Sequence, residues 1–112
     1  INRDGEPDFS LTFRRRRLRI ECKNVSPALT RGLPRVDFQK TRAAKGNPCS
    51  RYYSASQFEV LAACIYPTSG RWEFRFCLTK SLPIHKTCDG KLADRVLVEQ
   101  TWPHDLPTLL GS

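Results

Sequence analysis

The chain has 112 residues, 39% of them apolar, with 6 Gly and 8 Pro, which fits one small domain over 1–112 and leaves no material for a second core. Nineteen Lys and Arg against eleven Asp and Glu give a net charge of +8, and no stretch approaches the roughly eighteen apolar residues of a membrane span, so no transmembrane helix is expected. The opening residues from Ile1 carry Arg3, Asp4, Glu6 and Asp8 without an apolar run, so the chain reads as lacking a secretory signal and as a processed product or a piece of something longer.

From Asp8 to Phe13 the residues alternate, with Phe9, Leu11 and Phe13 on one parity, which predicts a half-buried strand. The run Arg14 to Arg17 follows, and alternation resumes with Leu18, Ile20 and Cys22 apolar and Arg19, Glu21 and Lys23 polar, so a hairpin is expected. A two-residue turn at Arg14 and Arg15 would pair Leu11 with Leu18 and Asp8 with Glu21. A four-residue turn would pair Leu11 with Ile20 and Asp8 with Lys23. Both registers keep Asp8, Glu21 and Lys23 on one, solvent-facing side. Two arginines suit the positive φ of a tight primed turn poorly, so the longer loop is expected.

Asn24 to Pro34 reads as a loop, and Arg35 to Lys45 as a helix, because Ala43 and Ala44 outweigh the strand period of Val36 and Phe38. Ser54 with Gln57 three residues later forms a capping box for a short helical turn. Phe58 to Tyr66 has the length and composition of a buried strand. Pro67 to Gly70 then signals a turn, and Arg71 to Leu78 alternates with Trp72, Phe74 and Phe76 on the core side, giving a second hairpin. The tail holds one strand at Arg95 to Val98 and is expected to wrap the sheet edge.

Cys22, Cys49, Cys64, Cys77 and Cys88 are an odd number without C-x-x-C spacing, and read as reduced thiols in a cytoplasmic protein, three of them small core residues. His85 with Cys88, Cys77 and Cys49 is a loose zinc pattern and the basis of a zinc-stabilised interaction domain as one alternative. The excess charge lies in the first half. Residues 1–23 hold seven basic and four acidic side chains and residues 31–51 six and one, whereas residues 52–112 hold six of each. A polyanion is attracted there by counterion release, and an acidic protein or membrane surface would be attracted as well.

Two carboxylates and a lysine on one strand-pair face call for a cation. Asp8 and Glu21 repel unless a divalent ion sits between them, and hard oxygen ligands, these two carboxylates with the backbone carbonyl of Cys22, suit Mg²⁺ or Mn²⁺. Lys23 is then placed to orient or deprotonate a water, or to stabilise charge on a phosphate. The plain reading of the same three residues is a cross-strand salt bridge on a wet face.

Pro7-Asp8, twelve intervening residues and then Glu21-Cys22-Lys23 after an apolar strand resemble the PD-(D/E)XK nuclease superfamily. The flanking Gly5-Glu6-Pro7-Asp8-Phe9 and Ile20-Glu21-Cys22-Lys23-Asn24 look like a restriction-type member. The resemblance implies an α/β fold, a restriction endonuclease-like mixed β-sheet with flanking helices, here lacking the usual N-terminal helix and strand. It also implies that Asp8 and Glu21 bind Mg²⁺ while Lys23 assists attack by water. The family's polar residue after the lysine falls at Gln39, within Gln39-Lys40-Thr41-Arg42.

The function expected is thus a metal-dependent DNA endonuclease, restriction- or repair-type, acting as a homodimer or with a partner chain that completes the fold. The alternative is a non-catalytic nucleic-acid-binding module or subunit on the same scaffold. Candidate DNA contacts are Arg14, Arg15, Arg16, Arg17, Arg19, Gln39, Lys40, Arg42, Lys45 and Arg51. Tyr52 and Tyr53 are candidates for stacking a base, though a partly buried role suits them better.

Overall fold

Period-two alternation builds the first hairpin. Strands β1 (Phe9–Phe13) and β2 (Arg16–Asn24) pair antiparallel with Leu11 opposite Leu18 and Phe13 opposite Arg16. The computed structural model describes residues 9–38 and 46–111. The turn is the tight one and not the longer loop expected: Arg14 and Arg15 alone connect the strands, with φ of 51° and 65°. Left-handed backbone costs a residue with a Cβ about 1–2 kcal/mol, and it is adopted because the primed turn carries the same twist as the two strands it joins.

Strand β4 (Val60–Cys64) is buried along its whole length and lies parallel to β2, with Ile20 beside Val60, Glu21 beside Leu61 and Lys23 beside Ala63. A parallel neighbour covered on both faces accounts for its unbroken apolar run. Strand β3 (Arg35–Asp37) comes between them in the chain, outside this sheet. Strand β5 (Phe74–Leu78) returns antiparallel to β4 after the single helical turn α1 (Tyr66–Ser69), which closes at Gly70 with φ 74°, a conformation that glycine adopts at little cost. The resulting mixed sheet has the order β1-β2-β4-β5.

Both faces of that sheet are packed. Ile20, Val60 and Ala62 point to one face, where Leu11, Phe74, Phe76 and the helical turn α2 (Leu106–Leu109) join them. Leu61 and Ala63 point to the other and form the larger cluster with Val36, Phe38, Phe58, Leu92 and Val96. Val36 and Val96 belong to a second, two-stranded ribbon in which β3 pairs antiparallel with β6 (Arg95–Leu97).

Several expectations are corrected by this architecture. Arg35–Asp37 is a strand and not the start of a helix, because the ribbon partner β6 supplies its hydrogen bonds; residues 39–45 lie outside the described residues. The tail adds a second layer through β6 and also lines the sheet edge as expected: along the free side of β5 the Phe76 N–H donates to the Pro103 carbonyl at 2.9 Å, and Arg75 donates to the carbonyls of Gln100 and Trp102. The Ser54 N–H donates to Gln57 Oε1 at 2.6 Å, yet the chain turns there without continuing into a helix. Trp72 is 75% exposed and stacks on Tyr66 with ring centroids 4.3 Å apart, since β5 begins only at Phe74 and Trp72 precedes the covered stretch.

The fully reduced reading of the cysteines is also overturned. Cys22, Cys64 and Cys77 are in no disulfide, as expected, but Cys49 and Cys88, with Cα atoms 5.6 Å apart, form a disulfide spanning 39 residues. It ties the 3-10 turn Pro48–Arg51 to the loop before Leu92. Among the described residues the α-helices are two single turns, so the chain is a small mixed α/β domain in which the expected flanking helices are largely missing. No helix there is long and apolar enough to cross a membrane.

Candidate functional site

Glu21 and Lys23 share the parity of Leu61 and Ala63, so they face the larger core cluster and not open solvent as the sequence suggested. Only 7% of Glu21 is exposed. The reason is tertiary: side-chain parity is a property of the strand, whereas the covering of that face comes from residues 36–38, 58 and 92–98, which the local pattern of β2 does not report.

Lys23 Nζ lies 3.7 Å from Glu21 Oε2 and donates to the phenol oxygen of Tyr53 at 2.5 Å. Tyr53 is in turn fixed by the core. Its ring meets the fully buried Phe38 edge-on at 5.4 Å, Phe38 stacks on Phe58, and the Tyr53 carbonyl accepts from the Leu92 N–H at 2.8 Å. A charge-assisted hydrogen bond to an acceptor on so rigid a support holds the ammonium in one place. Tyr53 is the residue that the sequence reading placed as a stacking or core residue; the fold makes it the partner of Lys23. No local spacing signals this, because thirty residues separate the two.

Cys22 points to the opposite face and packs with Ile20, Val60 and Ala62, so only its backbone can serve the side that carries Glu21. Asp8, the other expected metal ligand, lies outside the described residues, which begin at Phe9. Among the described residues no three His, Cys, Asp or Glu side chains converge on a common point. The oxygen donors that are present, the Glu21 carboxylate and the Cys22 carbonyl, have the hard character that Mg²⁺ or Mn²⁺ takes.

The expected DNA contacts divide. Arg14, Arg15, Arg16 and Arg17 are exposed at the hairpin end, with the Arg14 guanidinium 5.1 Å from the centre of the Phe13 ring and Arg17 reaching Ser10 at 3.4 Å. Arg19 is engaged elsewhere. It forms a two-pronged ion pair with Glu59, its backbone N–H also donates to Glu59 Oε1 at 2.8 Å, and its guanidinium reaches the Ser56 carbonyl. Hydrogen bonds from Arg19 hold the Glu59 carboxyl below the usual carboxylate range. The pair fastens β2 beside β4, and Arg19 is therefore withdrawn as a free phosphate ligand. Arg51 ends the 3-10 turn and is half-buried; Gln39, Lys40, Arg42 and Lys45 lie outside the described residues.

The zinc alternative loses its ligands. Cys49 and Cys88 are joined to each other, and His85 Nδ1 accepts from the backbone N–H groups of Thr87 and Cys88 while its ring lies 4.2 Å from that of Tyr52. Neither a family model nor a curated protein nor a solved structure matches this chain.

Proposed function

We propose that the chain is a metal-dependent DNA endonuclease of the PD-(D/E)XK, restriction endonuclease-like kind. The observation that carries the reading is the Glu21–Lys23 pair, an acid 7% exposed and an ammonium 3.7 Å away on an interior strand of a mixed sheet. A buried ion pair is weak evidence for stability, since apolar residues of similar volume often hold a core as well or better. Its presence there is better accounted for by chemistry.

In this reading Asp8, Glu21 and the Cys22 carbonyl would hold Mg²⁺ or Mn²⁺, which when bound supplies positive charge to a phosphodiester oxygen. Lys23 orients the attacking water or offsets the charge that grows on the phosphate, and Tyr53 keeps the Lys23 ammonium aimed. The register observed for β1 and β2, with Phe9 opposite Ile20 and Leu11 opposite Leu18, is the tighter of the two that the sequence allows. Cutting both strands of a duplex takes two such sites, which favours a homodimer or a completing partner chain, acting on cytoplasmic DNA.

Plasmid DNA incubated with the protein and Mg²⁺ should be nicked or linearised, EDTA should stop the reaction, and Asp8→Asn and Lys23→Met should abolish it while the circular dichroism spectrum stays unchanged. Full cleavage by either variant overturns the reading. Tight, salt-sensitive binding with no cutting under any divalent ion supports the non-catalytic alternative, which the exposed arginine hairpin favours.

A further inference from the structure

A cavity lies at the other end of β2, away from Glu21 and Lys23. It measures about 380 Å³, has Leu18 and Phe58 in its apolar floor, and is rimmed by Arg14, Arg16 and Lys80. Glu59 is the acid in its lining, and the Arg19 guanidinium already occupies that carboxylate. Arg16 also lies within electrostatic reach of Glu59, so three cations share with Arg19 the one acid that lines the hollow, and positive charge is left in excess there. Thr79 adds a leftover: it is 5% exposed, lines the same cavity, and its hydroxyl has no hydrogen-bond partner among the described residues.

The backbone supplies an independent observation. The turn beside this cavity adopts a left-handed conformation at Arg14 and Arg15, where Asn-Gly would be comfortable. Strained backbone kept at such a position points to a use for the side chains that cause it.

We infer that the Arg14–Arg15 turn, Arg16 and Lys80 form a clamp for the sugar-phosphate backbone of nucleic acid, with phosphate at the cationic rim and the sugar over the apolar floor. The clamp stands about 23 Å from Lys23, seven residues along an extended strand, and so is a second contact on the substrate and not part of the reacting centre. It rests on the proposed function only in taking DNA as the polyanion.

The test is binding of a labelled 20-base-pair duplex in EDTA, measured across a salt series, with the full chain carrying Arg14→Asn and Arg15→Gly together. Relief of the turn should raise Tm by about 5–10 °C. Loss of two phosphate contacts should weaken binding about tenfold at low salt and reduce the slope of log K against log salt by about 1.8. Lys80→Ala should reduce that slope by about 0.9, and the exposed, distant Lys86→Ala should leave it unchanged.

A stabilised double variant that binds as tightly as the parent overturns the clamp, as does an equal loss on Lys86→Ala, which would mean diffuse charge. Binding to anionic lipid vesicles or an acidic peptide in place of duplex overturns the choice of nucleic acid. Because EDTA prevents metal-dependent cutting, a chain that binds through the clamp yet never cleaves with Mg²⁺ would refute the endonuclease reading and leave the clamp intact.

Discussion

The two ends of β2 handle charge in opposite ways. At its carboxyl end a single acid and a single base are drawn under the β3–β6 ribbon, 3.7 Å apart, with Tyr53 as a third partner. At its amino end four consecutive arginines stand in solvent around a turn that their own backbone geometry disfavours. Positioned groups whose surroundings are fixed suit bond making and breaking, whereas exposed guanidinium groups suit long-range attraction. Between the two ends, Arg19 and Glu59 lock the register and take part in neither task.

The contrast is broken most directly at Lys23. Lys23→Met should lower Mg²⁺-dependent cleavage about 10²- to 10⁴-fold, read by plasmid nicking, while binding of duplex in EDTA falls far less. Equal losses in both assays would show that the two ends do the same work. Next in size is the disulfide: Cys49→Ser with Cys88→Ser, or reduction by dithiothreitol, should cost about 2–4 kcal/mol of stability in urea melts. Because that bridge anchors the segment leading into Tyr53, cleavage should fall more than binding at the arginine end.

Tyr53→Phe removes one oxygen and keeps the ring packed on Phe38. It should lower kcat about tenfold at unchanged KM and speed acylation of Lys23 by an amine-selective reagent, measured by peptide mass spectrometry. The smallest effect belongs to the middle of the strand. The Glu59 carboxyl is held low by Arg19, so its contribution to stability is complete above the ordinary carboxylate value of 4.5 and is lost as pH falls through the lower folded value. Arg19→Ala should therefore flatten the acid limb of the stability curve, by less than about 1 kcal/mol for a pair this exposed.

Strands β2, β4 and β5 were legible because each obeys a pattern that the chain states locally, alternation in two of them and an unbroken apolar run in the other. The Arg14–Arg15 turn was not, because residue preference argues against a conformation that strand twist imposes. The three-residue β3 was misread because its brief period at Val36 and Phe38 was outweighed by Ala43 and Ala44, and its partner lies about sixty residues away. Parity put Glu21 and Lys23 together on one face from sequence alone. The expectation that this face is wet was wrong, and the pairing of Tyr53 with Lys23 went unseen, because both depend on segments that return from elsewhere in the chain. Trp72 was misread for a related reason: alternation continues past the point where the sheet stops being covered.

The parallel seam between β2 and β4 has a consequence for how the molecule assembles. The β1–β2 and β4–β5 hairpins each close over short loops, so either can form early and alone. Joining them requires a connection of about thirty-five residues to close, and the entropy of that loop is lost before any contact across the seam is gained. Glu21 and Lys23 sit on the strand that waits for this event, with Leu61 and Ala63 arriving beside them only when the halves meet. A nascent chain would thus carry the arginine turn before the Glu21–Lys23 pair has its covering, so the two ends of β2 mature at different times.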